Sequence, residues 1–227
     1  MPKTLQKKIN PKANKIDLIM KHCEDTALTA SMFQDLIDFF KGDFNRTIIA
    51  AKYHDIGKTN WSKRMLSVPF RQLTETEVSL IYKHPADGVD ILQTRFPNFK
   101  ECKKGNPSVC DIIYLHHERP DGSGYYRIKD MPIEAVIVSM SDIFNACITS
   151  RPYKGAMPIN IAINEAVKPF EGYFTKEIAF GIKSRFREIY GTTQGQKFKN
   201  AKFSLSEDYA RELQIIQEWL LQKYQKE

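Results

Sequence analysis

Cysteine is scarce in this sequence: four residues in 227, Cys23, Cys102, Cys110 and Cys147, with no CxxC pair. They are expected to be reduced thiols, which excludes a disulfide-built scaffold and points to the cytoplasm. No run approaches the roughly 18 apolar residues of a membrane span, so no membrane partner is expected. Met1 to Lys15 is basic and polar without an apolar stretch, and is not expected to be a secretory signal. Strand-like alternation of useful length is missing, and so is any internal repeat. The basic excess is modest, 34 Lys and Arg against 27 Asp and Glu for a net charge of +7. Many lysines cluster near the two ends (Lys3, Lys7, Lys8, Lys12, Lys15; Lys197, Lys199, Lys202). Without an accompanying nucleic-acid motif they read as solvated flanks, and no duplex nucleic acid is expected as a partner.

What remains is an ordinary globular composition, 42% hydrophobic and 27% charged, arranged with helical spacing. Lys15 to Phe40 carries apolar residues at helical intervals up to Gly42 and Asp43. Arg46 to Tyr53 is a short apolar helix running into His54-Asp55, which Gly57 is expected to end. Thr74 and Glu77 form a capping-box start. The helix that follows carries Tyr82 and His84 and is expected to stop at Pro85, with a further helix through Leu92. Pro107 and Ser108 open a helix from Val109 to His117. Glu118 to Pro132 is too rich in glycine and proline to be regular. Ile133 to Thr149 reads as a buried helix, and Pro158 to Ala166 and Thr175 to Tyr190 as two more. Gly191 to Asn200 is a polar linker. Ser206 to Gln225 is amphipathic, with a stripe of Tyr209, Leu213, Ile216, Leu220 and Tyr224 suited to its own domain or to a second subunit in a homodimer. The class is all-α: a basic tail over 1–14, one helical domain over 15–190, and a linker with an amphipathic terminal helix over 191–227.

Only five histidines occur, His22, His54, His84, His116 and His117, and all lie in or beside expected helices. Asp142 sits in the apolar stretch Val138 to Phe144, where a carboxylate is costly unless paired or metal-bound. Singly, each has a plain structural reading, such as a satisfied core histidine or a helix cap. As a set, imidazole with carboxylate suits Fe, Mn, Ni or Zn better than Mg or Ca. Adjacent residues on a helix point roughly 100° apart, so His54 and Asp55 can face different sides of one centre. Two ions about 3.5–4 Å apart can drive displacement at phosphorus.

In their order, these residues resemble the HD superfamily of metal-dependent phosphohydrolases. His54-Asp55-Ile56-Gly57-Lys58 looks like its HDxGK signature. Lys83-His84-Pro85, then His116-His117-Glu118-Arg119-Pro120-Asp121-Gly122-Ser123-Gly124-Tyr125, resembles the narrower HD-GYP family, known for hydrolysing cyclic dinucleotides. Ser141 to Ala146 and Arg151-Pro152-Tyr153-Lys154 are similar to that family's next segments, and the likeness runs from about His22 to Arg185. It implies an HD-domain helical bundle of five or more core helices with extra C-terminal helices. It implies a first metal on His22, His54, Asp55 and Asp142, and a second on His84, His116 and His117, with Asp55 bridging. Fe or Mn is the expected pair, with Ni or Zn as alternatives. A hydroxide bridging the two ions would attack the phosphodiester. Asp55 and Lys58 are the implied catalytic residues, and Lys58, Arg151 and Lys154 would contact substrate phosphate.

The implied function is a phosphodiesterase opening cyclic di-GMP or a related cyclic dinucleotide. Another nucleotide or phosphoester substrate is the alternative, and a non-catalytic cyclic-dinucleotide-binding module is the reading from a different class. Four departures bear on the choice. Tyr126 replaces the motif proline, which predicts a looser loop and altered substrate choice. Thr59 to Lys63 replaces the usual continuation after HDIGK. Asn145 stands where aspartate is common. Leu18 stands where some members carry a glutamate for a third metal, so two ions are expected. Glu118 and Asp121 are expected to order their loop through hydrogen bonds to the histidines, or to lie on the surface. No sensory domain is expected ahead of the helical unit.

Overall fold

Several of the expected helices have a local physical start. The computed structural model describes residues 14–151, 153–191, 214–216 and 218. Among those between 14 and 191, nine α-helices occur: α1 Lys15–Ser31, α2 Gln34–Phe39, α3 Phe44–Tyr53, α4 Lys63–Ser67, α5 Glu75–Arg95, α6 Val109–Leu115, α7 Ile133–Ile148, α8 Ile159–Val167 and α9 Lys176–Gly191. No strand is present among these residues, which makes the fold all-α as expected. Reciprocal capping boxes open α1 at Asn14 and Asp17, α5 at Thr74 and Glu77, and α6 at Ser108 and Asp111. Each satisfies amide groups that a helix start leaves without partners.

The organising element is α7. It is apolar nearly all round, and even Glu134, Ser139, Ser141, Asp142 and Asn145 on it are buried. Such a helix is stable only inside a bundle. α1, α3 and α8 pack against it, α5 packs on α6, and α9 packs on α8. The polar side chains on α7 act as ties. Glu134 accepts the Asp43 amide at the start of α3 at 2.8 Å. The Asn145 amide donates to Asp25 O, Thr29 Oγ1 and Ser141 O, joining α7 to α1. An aspartate at 145 has no N–H with which to make these bonds.

Five sequence expectations are corrected. Lys15 to Phe40 is not one helix: it breaks at Met32 and Phe33, both buried. Neighbours on one straight helix point about 100° apart, and the break lets both reach the core. Pro85 does not end its helix, because α5 runs through it to Arg95. Gly57 does not serve as the stop for α3, which ends at Tyr53. It lies in the 3-10 turn Ile56–Asn60, packed so closely on α5 that a Cβ would overlap the His84 carbonyl and lie 2.8 Å from Gly88 N. α6 stops at Leu115, before the paired histidines. Cys102 and Cys110 are not reduced thiols but form a disulfide, Cα to Cα 4.8 Å. The 3-10 turn Lys100–Cys102 and the first turn of α6 bring together two residues whose spacing gives no CxxC signal. Cys23 and Cys147 are free and buried.

No helix among the described residues is long and apolar enough to cross a membrane. Of the expected terminal helix, residues 214–216 and 218 are described and helical, and Ile216 is buried. Tyr209, Leu213, Leu220 and Tyr224, the linker beyond Gly191, the basic tail over 1–13, and Pro152 lie outside the described residues.

Candidate metal centre

Three of the five histidines are aimed by one device. A helix end leaves its last carbonyls without amide partners. His54 caps α3 and its Nδ1 lies 2.8 Å from Ala51 O; His116 caps α6 and its Nδ1 lies 2.6 Å from Ile113 O. His84 is in mid-helix, yet its Nδ1 lies 2.6 Å from Ile81 O. That carbonyl is free because residue 85, which would supply the i+4 amide, is proline. Pro85 therefore creates inside α5 the chemistry of a helix end. A carbonyl only accepts, so each Nδ1 carries the hydrogen. Each Nε2, in the neutral ring, presents a lone pair on the other side.

Those Nε2 atoms converge on Asp55. Its Oδ2 lies 3.5 Å from His54 Nε2 and 3.7 Å from His22 Nε2. Its Oδ1 lies 3.2 Å from His84 Nε2 and 3.8 Å from His116 Nε2. One carboxylate thus shows one oxygen to each of two clusters. His22, His54 and Asp142 have ligand atoms within 4.8 Å of one another, and so do Asp55, His84, His116 and His117. Within the first, Asp142 Oδ1 is 2.8 Å from His22 Nε2 and 3.7 Å from His54 Nε2. Within the second, the Nε2 atoms of His84 and His116 face each other at 3.3 Å. All seven expected ligand positions are thereby gathered in one place.

For every ligand with a shifted value except His54, electrostatics favour the form that binds cations. Burial pushes His116 and His117 well below the usual histidine range, helped by neighbouring histidines, and burial also lowers His84. Burial alone would raise Asp55, but Lys58 and His54 hold it well below the usual carboxylate range. Burial would likewise raise Asp142, and His22, in hydrogen-bond contact, together with the nearby His54 holds it low. Burial would lower His54, but Asp55 and the other groups around it raise it well above its ordinary value. The neutral imidazoles of His84, His116 and His117 beside ionised carboxylates form a transition-metal donor set, and a cation would displace the proton that His54 otherwise holds. The fit shows in unpartnered atoms too: His54 Nε2 and His117 Nε2 are buried and have no hydrogen-bond partner. Buried polar atoms rarely stay unpaired without a reason.

Lys58 stands at the rim, its Nζ 2.5 Å from Asp55 Oδ2 and 5.3 Å from the centre of the Trp61 ring. Arg151 and Lys154 form an isolated backbone pair, Arg151 N to Lys154 O at 2.8 Å. Burial would lower the Arg151 guanidinium, but Tyr153, Asp142 and Asp55 raise it, so it stays charged in the field of the cluster carboxylates. Lys154 is exposed on the same turn.

The roles of Trp61 and Ser139 escaped the sequence reading, and those of Glu118 and Asp121 were foreseen only in part. Trp61 meets the His84 ring edge-on, centroids 5.5 Å apart. Tyr125 stacks on His117 at 4.4 Å. Ser139 donates to His116 O and accepts from Arg119, which also donates to Glu118 O. Glu118 is fully buried, and its carboxylate binds the amides of Tyr126 and Ile128 rather than a histidine. Asp121 closes a local turn through the Ser123 amide. Gly124 is required here, since a Cβ would collide with Glu118 Cα and lie 2.7 Å from His117 O. The loop expected to be loose is thus held from inside. Only the HHExxDGxGY string hinted at these contacts, because their partners lie on other elements.

Comparison with known proteins places the fold in a family. Residues 13–170 match the family model described as HD domain. The chain is 35% identical over 154 residues to a cyclic di-GMP phosphodiesterase of Thermotoga maritima, covering 65% of this chain and 39% of that protein. It is 36% identical over 116 residues to the 3'3'-cGAMP-specific phosphodiesterase 1 of Vibrio cholerae, covering 49% of this chain and 24% of that one. It therefore spans well under half the length of these curated relatives. An HDG"Y"P protein from Bdellovibrio bacteriovorus shares the fold with a TM-score of 0.55 at 21% identity, over 77% of this chain and 53% of that one. The PgpH phosphodiesterase HD domain of L. monocytogenes, solved with cyclic-di-AMP, shares it with a TM-score of 0.53 at 21% identity, over 77% and 92%. With that match spanning more than half of its length, this chain belongs to the HD-domain family.

Proposed function

We propose that this chain is a metal-dependent phosphodiesterase that hydrolyses a cyclic dinucleotide, with His22, His54, Asp55 and Asp142 holding one divalent transition-metal ion and His84, His116 and His117 a second that shares Asp55. The observation that carries this reading is the placing of Asp55, one oxygen toward each cluster. Fe or Mn is the preferred identity, since hard carboxylate and borderline imidazole oxygen and nitrogen donors suit both. Two such ions, when bound, would activate water and draw charge from the phosphoryl oxygens. The chain's own residues do the rest. The carbonyl-anchored imidazoles keep their Nε2 atoms aimed at the pair of sites without reorganisation. Lys58, already beside Asp55, neutralises phosphate charge at the rim. Arg151, backed by Tyr153, offers a planar fork to a second phosphate oxygen, and Lys154 adds a mobile charge from the same turn.

The cyclic dinucleotide class is supported by relatives named for cyclic di-GMP and 3'3'-cGAMP and by a fold neighbour solved with cyclic-di-AMP. The experiment is a turnover panel on metal-reconstituted protein, with cyclic di-GMP, cyclic GMP-AMP, cyclic di-AMP, a linear dinucleotide and a generic bis-aryl phosphodiester. Cleavage of at least one cyclic dinucleotide is expected. Cleavage of the generic ester alone would move the substrate elsewhere, and no cleavage by metal-replete protein would refute catalysis.

A further inference from the structure

We propose that Tyr126, which stands where the resembling motif carries proline, is a positioning residue that fastens the loop after His117 to the turn of α5 presenting His84. The inference rests on the metal-centre reading above and assigns a role to one residue of this chain.

Three attachments carry it. The Tyr126 amide donates to Glu118 Oε1 at 2.8 Å, while the other oxygen of that buried carboxylate takes the Ile128 amide at 2.7 Å. Proline has no N–H and cannot make the first bond. The Tyr126 ring lies almost parallel to Tyr114, 4.5 Å between centroids and 8° between planes. Tyr114 is on α6, two residues before His116. The Tyr126 hydroxyl donates to the Tyr82 carbonyl at 2.9 Å and faces the Ala86 amide. Tyr82 and Ala86 are an i, i+4 pair flanking His84 and Pro85, the turn in which proline has removed an amide from the ladder.

One residue, through its main-chain amide and its side chain, therefore joins the helix of His84, the helix of His116 and the loop of His117. Between them Tyr125 is held, 4.7 Å from Tyr82 and 4.4 Å from His117 by ring centroids. A motif proline stiffens its loop by restricting φ. Tyr126 replaces that restriction with directed contacts to both helices. All three attachments serve the His84, His116 and His117 side, and none touches His22, His54 or Asp142. The consequence is selective: loosening Tyr126 disturbs one cluster and spares the other.

The test is a Co(II) titration of the metal-free full chain, followed by visible absorption. His22→Ala and His117→Ala identify which spectral phase belongs to which cluster. Tyr126→Pro is expected to weaken cobalt at the His84 cluster about tenfold, in the range of lost supporting contacts, with the other phase little changed. Tyr126→Phe, which keeps amide and ring, should lose only a fraction of that. Equal weakening of both phases, or no change in either, overturns the proposal. A second measurement needs no metal: amide exchange at Ile128 should be slow in the parent and faster in Tyr126→Ala, and unchanged protection overturns the fastening. If the parent chain takes up no cobalt, the metal-centre reading fails, and the exchange result still judges Tyr126.

Discussion

A single carboxylate, that of Asp55, stands between the two histidine clusters. Asp55 offers Oδ2 to His22 and His54 and Oδ1 to His84 and His116. Replacing it by Ala should remove both equivalents of bound metal, weakening uptake on the order of 100-fold or more, and should abolish turnover. Elemental analysis and the substrate panel check this, and retained turnover would show the bridge to be misassigned. The histidines give a second expectation. His84, His116 and His117 have folded-state values below the unfolded value near 6.5. Below that pH the unfolded chain binds protons that the folded chain refuses, so metal-free stability falls as pH drops from about 6.5 toward the folded values. His54, shifted upward, loses its stabilising contribution only above that pH and does not offset the fall. Thermal melts of metal-free protein between pH 7 and 5 should show midpoints falling with pH. Of these residues, type and order were legible in the sequence. Which oxygen faces which ring was not, because it depends on χ angles set by contacts from four separate helices.

At the scale of elements, the histidines sit where backbone carbonyls are available to aim them. α3 and α6 provide true ends, and Pro85 provides an artificial one within α5. Pro85→Ala would restore an amide that competes with His84 Nδ1 for Ile81 O. The expected outcome is a more stable α5, since proline costs about 3 kcal/mol in a helix interior, together with metal affinity at the His84 cluster lower by about tenfold. A titration that improves along with the melting temperature would contradict this. Sequence reasoning took Pro85 for a stop because the local rule is strong. It did not see that the contacts of α5 with α6 and with the turn Ile56–Asn60 carry the helix through. The same contact explains Gly57, which is read locally as a helix stop but packs backbone against backbone on α5. Gly57→Ala should cost about 1–3 kcal/mol through overpacking, measured by denaturant unfolding.

For the molecule as a whole, α7 is the beam on which the bundle hangs, and the disulfide is a clasp on its flank. Cys102–Cys110 closes the short loop leading into α6. Converting both residues to Ser should cost roughly 2–3 kcal/mol by loop closure. Metal stoichiometry should be unchanged, because the Ser108–Asp111 capping box still starts α6 and His116 still finds Ile113 O. Loss of a metal equivalent in that variant would show the clasp to be part of the site.

Composition, periodicity and the order of the histidine and aspartate motifs determined the helical class, most helix starts and the candidate ligands, because caps, amphipathic spacing and ligand chemistry are local properties. Tertiary structure alone decided that Asp55 faces both clusters, that α5 survives its proline, that Cys102 meets Cys110, and that Glu118 and Tyr126 hold a loop expected to be slack. Each of these depends on a partner far away in sequence or on a backbone approach that no single segment specifies, and only packing brings those partners within bonding distance.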